Sequence, residues 1–231
     1  MGLSLAAMFR RLSLMLAAIA LVPGLRNAPA AAEFEPCDGV PAEVAAESPE
    51  DRRLACQGAG DAIAYFRSAR LRVATTVRLR IVDRFPPQVG ESAVGCFIER
   101  VGVALMHPYA SFQREETWFQ VPVAADLYRS LAAHEAAHVL AAGNFSVAKP
   151  TIQAKEYVAY VVMFEVMSPD LRARILDAYP VRGISSAKRL TELLYLMDPM
   201  RFGVEAHRYH TRPEVGLHFL RRVLDGAELN D

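Results

Sequence analysis

Five consecutive residues carry the strongest chemical signal in this chain: His134-Glu135-Ala136-Ala137-His138. On a helix, positions i and i+4 lie about one turn apart on one face, so both imidazoles can reach a single metal ion. Neutral imidazole nitrogens suit Zn2+ in tetrahedral geometry, and a catalytic site leaves one position for water. Glu135 adjoins the first histidine. It can take a proton from that water and return it to a leaving group, the role of a general base and acid. Small residues (Ala132, Ala133, Ala136, Ala137, Ala141, Ala142) surround the motif and allow close packing near a buried site.

Two histidines need a third protein ligand, and Glu156 is the strongest candidate, with 17 residues between it and His138. It stands just before the continuous apolar run Tyr157 to Phe164. A helix apolar all round is buried, and a carboxylate there is costly unless paired or bound to metal. Two helices joined by a short loop lie antiparallel, which can bring Glu156 opposite His134 and His138. Glu165 is the runner-up, at the far end of the same helix. His207 and His210, in the polar segment EAHRYHTRPE, are weaker candidates and read as solvated or capping residues.

The elements that must position these groups follow from punctuation and periodicity. Ser48-Pro49-Glu50-Asp51 starts a helix that runs to about Ala69. Val73 to Val82 alternates and reads as a half-buried strand. Ala93 to Met106 reads as one bent strand or two, with Gly102 at a bulge. Thr117 to Val121 is a short strand. The motif helix spans about Ala124 to Ala142 and stops at Gly143-Asn144. Helices follow over Thr151 to Met167, Ser168 to Ala178, Ser185 to Met197 and after Pro213. Residues 33–49 read as an irregular lead-in. This order, one helix, a few strands and then helices, gives an α+β domain with a small antiparallel or mixed sheet.

The N-terminus carries an export signal. Arg10 and Arg11 precede the apolar run Leu12 to Val22, and Ala30-Ala31-Ala32 fits a small-residue cleavage site. Residues 1–32 are the expected signal peptide and 33–231 the expected single domain. The apolar run is too short for a stable membrane span. Without residues 1–32 the chain has 23 basic and 26 acidic side chains, so nothing points to nucleic acid. Export permits disulfides. Of Cys37, Cys56 and Cys96, the expected pair is Cys37–Cys56, with Cys56–Cys96 left open. Asn144-Phe145-Ser146 matches a glycosylation sequon but falls where it would shape the turn after the motif helix.

HEAAH followed by Glu156 in KEYVAYV resembles the gluzincin group of zincin metallopeptidases, over residues 124–167. The resemblance implies a zincin-like fold, a small sheet whose edge strand aligns the peptide, followed by the motif helix and a mostly helical C-terminal half. It implies Zn2+ held by His134, His138 and Glu156, with Glu135 as general base and acid. It implies a residue that stabilises the oxyanion, for which Tyr160, one turn after Glu156, is favoured, with Tyr157, Tyr209 and His210 as alternatives. Gly102 to Leu105 is the expected edge strand. The metzincin arrangement is absent, since HVLAAGNFSVAK holds no third histidine. The expected function is therefore an exported zinc-dependent hydrolase, most simply a peptidase acting on peptide or protein. The alternatives are a non-catalytic zinc-binding or degenerate zincin scaffold, and an amidase of cell-wall peptides.

Overall fold

A computed structural model describes residues 32–87, 89, 93–180 and 183–230. The expected signal peptide lies almost wholly outside the described residues. No helix among those described is long and apolar enough to cross a membrane.

The domain is α+β, with a five-stranded mixed sheet followed by a largely helical C-terminal half. In chain order the elements are β1 (Glu35–Pro36), β2 (Ala42–Ala45), α1 (Pro49–Ser68), β3 (Val77–Ile81), β4 (Gly95–Ile98), β5 (Val103–Met106) and α2 (Tyr109–Phe112). Then come β6 (Thr117–Trp118), β7 (Val121–Pro122), α3 (Ala125–Ala142), α4 (Ile152–Val166), α5 (Pro169–Ala178), α6 (Glu192–Met197), α7 (Pro199–His210) and α8 (Gly216–Leu224). The sheet order is β1-β2-β3-β5-β4. The strands β2, β3 and β5 run parallel, and the two edges, β1 and β4, run antiparallel to their neighbours.

Local chemistry explains most boundaries. The Ser48 side chain accepts from the Asp51 N–H, and Pro49 fills the first turn of α1. Thr151 caps α4 in the same way through the Ala154 N–H. Gly102 adopts φ +66° in the tight connection between β4 and β5, a conformation glycine reaches without a Cβ penalty. It therefore closes a hairpin rather than forming a bulge. The side chain of Asn144 binds the backbone of Arg72 and Leu140, so it secures the end of α3.

The differences from the sequence expectations have physical causes. The lead-in holds β1 and β2, and Val44 and Ala45 are fully buried. Four residues of AEVA are too short for alternation to show. The expected helix over Ser185 to Met197 is broken into a 3-10 turn at Ala187–Arg189 and the short α-helix α6, Glu192–Met197. Glu205 to His210 of the segment read as polar form the end of the largely buried helix α7, which Asp198 caps and Pro199 starts. The expected edge strand is also displaced: β5 is an interior strand, and β4 is the edge.

The core is organised around α3. Thirteen of its residues are buried, because α1, α4 and the sheet surround it. Helices α1 and α3 touch backbone to backbone at Gly58, where a Cβ would lie 2.6 Å from that of Ala132. Arg129 of α3 grips Asp61 of α1 through two hydrogen bonds, at 2.5 and 2.7 Å. A Cys37–Cys56 disulfide ties the β1–β2 segment to α1, with the two Cα atoms 5.6 Å apart, and Cys96 is the free cysteine.

Candidate metal centre

Two buried helices bring the three expected ligands together. His134 and His138 face α4 from α3, and Glu156 answers from the second turn of α4. The two Nε2 atoms are 3.1 Å apart. Glu156 places one carboxylate oxygen 3.5 Å from His134 Nε2 and the other 3.6 Å from His138 Nε2. Tetrahedral zinc with bonds of about 2.0–2.2 Å separates neighbouring ligand atoms by roughly 3.4 Å. The donor set thus has the composition and spacing that such an ion requires.

The charge states also suit a cation. Burial, with His134 and Lys155 nearby, holds His138 down at about 4 against the opposing pull of Glu156, so it is neutral at neutral pH. Burial pushes Glu156 upward, but the imidazoles of His138 and His134 and a hydrogen bond from the Tyr195 hydroxyl outweigh it. Its carboxyl therefore sits below the ordinary value. Glu135 behaves oppositely. Burial, followed by the charge of Glu156, pushes it well above the usual carboxylate range. One of its oxygens, Oε2, is buried with no hydrogen-bond partner among the described residues. A bound dication inverts such local pKa logic.

The cluster opens into a cleft of about 480 Å³ whose lining includes Gly95, Cys96, Phe97, His134, Glu135, His138, Glu156 and Tyr195. Its wall is β4. A Cβ on Gly95 would lie 2.5 Å from Glu135 Cδ, so the carboxylate occupies the room that the missing side chain leaves. Gly95→Ala is therefore expected to force Glu135 or β4 aside, at about 1–3 kcal/mol for overpacking. Urea unfolding reads the loss, and an unchanged midpoint would contradict this packing.

Other expected residues fall elsewhere. Tyr160 is buried under the cluster, its ring centroid 4.5 Å from that of His134 and tilted 63° to it. Gly203 of α7 makes room for that ring. Tyr160 packs against His134, and Tyr195, not singled out from sequence, lines the cleft. Nothing local marks Tyr195; its place depends on packing between α6 and α4.

Glu165, His207, His210 and Tyr157 are separate from the cluster. His207 and His210 are buried on α7, not solvated. His207 stacks on Phe164, with Nδ1 3.6 Å from Glu165, and Tyr157 Oη lies 3.2 Å from His210 Nδ1. Burial lowers His207 to about 3, helped by Arg172, His210 and Arg208, and lowers His210 to about 4.

Both histidines thus stay neutral in the fold but charge near 6.5 when unfolded. Their contribution to stability is whole above about pH 6.5 and is lost as the pH falls toward the folded values, because the unfolded chain then binds more protons. Urea midpoints at pH 7 and pH 5 should show a drop that His207→Phe reduces. An equal drop in that variant would exclude this origin.

Comparison with curated proteins and with solved structures finds no match. A family model does match, over residues 42–231, which takes in the whole sheet from β2 onward and every helix described above. The chain therefore belongs to DUF6639, a family of unknown function.

Proposed function

We propose that the protein is a zinc-dependent hydrolase, in the manner of a minimal gluzincin, and that its substrate is a peptide. One observation carries this reading: His134, His138 and Glu156 converge at zinc-ligand spacing with Glu135 beside them, in an open cleft. When bound, zinc would lower the pKa of water to about 7 and polarise a carbonyl. The chain's own residues supply the rest. Glu135 is held where it can accept a proton and pass it to a leaving nitrogen. Tyr195, on the cleft wall, holds the Glu156 carboxylate through its hydroxyl and so fixes that carboxylate toward the two histidines. The edge strand β4 can accept an extended peptide as one more strand. An exported site of action fits the Cys37–Cys56 disulfide.

The test is hydrolysis of unfolded casein and of a peptide library by the zinc-loaded protein, with and without chelator. Cleavage that stops with chelator and returns with zinc supports the reading. Bound zinc without cleavage of any peptide would overturn the peptidase reading in favour of the non-catalytic scaffold or an amidase of cell-wall peptides.

A further inference from the structure

Beside the metal cleft lies a second, smaller cavity of about 260 Å³. Its walls include Phe97, Ala141, Ala142, Phe145, Val147 and Pro150. That volume is below the roughly 300–1,000 Å³ of sites for drug-sized ligands, so it suits one amino-acid side chain. The two spaces are neighbours: Phe97, Glu99, His138 and Lys155 border both.

Lys155 is the feature that gives this cavity a chemical preference. It is half-buried, one residue before Glu156, and so about 100° further round α4 than the metal-facing carboxylate. Its charge reaches His138. Among the described residues no carboxylate pairs with it within 4.0 Å, although Glu99 stands exposed on the same rim. A lysine that is neither paired nor fully solvated, at the lip of a small hole whose wall combines apolar side chains with polar surface, is arranged to meet an anion attached to a largely apolar group.

We propose that this cavity is a subsite for the C-terminal residue of a peptide, its apolar side chain in the cavity and its free carboxylate on Lys155. The proposal rests on the hydrolase reading above and narrows it to removal of an apolar C-terminal residue. The C–N bond of the last peptide link breaks, water supplying hydroxyl to the new carboxyl terminus and hydrogen to the amine of the released amino acid.

The test measures binding apart from turnover. Calorimetric titration of zinc-loaded Glu135→Gln protein would use acetyl-Ala-Ala-Leu as the free acid and as its carboxamide. The acid should bind at least about tenfold more tightly, the scale of a hydrogen bond to a charged group. Lys155→Gln should bring the ratio near one, and Lys155→Arg should keep it. Ala142→Trp, at an exposed position on the cavity wall, should remove the preference for Leu over Ala at the last residue while leaving the fold intact. Equal binding of acid and amide, or a ratio unaffected by Lys155→Gln, overturns the subsite even if casein is cleaved. An acid preference that depends on Lys155 without cleavage of any peptide keeps the subsite and overturns the hydrolase reading.

Discussion

Glu135→Gln is expected to bind zinc as the parent protein does and to lose about 10²–10⁴-fold in kcat, the usual contribution of a positioned acid–base group. The structure separates the two effects. Glu135 is adjacent to the candidate ligands but is not one of that set, and its carboxylate lies against Gly95 on the opposite wall. Glutamine has nearly the same shape, so the contact with β4 and the metal cluster should survive. It also removes an ionisable group that burial and Glu156 disfavour in its charged form, so the variant should be at least as stable without metal. Metal analysis, a thermal melt and peptide hydrolysis on one preparation settle the matter. Retained hydrolysis would remove Glu135 from the mechanism.

The second large effect belongs to Glu156→Ala. Loss of a ligand should weaken zinc by more than the 10–100-fold typical of changes around the ligands. The consequence can be read without activity. Zinc at a hundredfold excess over its Kd stabilises a folded protein by about 2.7 kcal/mol, which for a domain of this size raises Tm by roughly 5–10 °C. The parent protein should show that rise and Glu156→Ala should not. A full rise in the variant would mean that another group completes the site. Glu165 and His207 are poor substitutes, since they belong to the cluster around Phe164 on the other side of α4.

The clustering of His134, His138 and Glu156 was legible in the sequence because both of its signals are helical. HEAAH needs only the one-turn geometry of α3. Glu156 was exposed as a candidate by the apolar run that follows it, which marks α4 as buried whatever surrounds it. The facing wall of the cleft was not legible. Gly95 looks like any glycine in a strand until β4 is paired and placed against Glu135. Tyr195 lies 39 positions beyond Glu156, on a six-residue helix with weak local signals. The helix α7 was hidden by its letters, since EAHRYH reads as polar although Glu205, His207 and His210 are buried. Tertiary packing overrode composition there, and it did so again in the short buried strand β2.

The Cys37–Cys56 bridge has a consequence at the bench. It closes a loop of 19 residues, worth about 3 kcal/mol by chain entropy, and it fastens the sheet's first strands to the helix on which α3 rests. A dithiol reductant added to protect the protein would attack that bridge and would also bind zinc. The two routes would give the same symptom, loss of metal from His134 and His138, yet only one can be reversed by adding zinc back. Reducing agents therefore belong among the variables of a metal titration, on the same footing as pH and chelator.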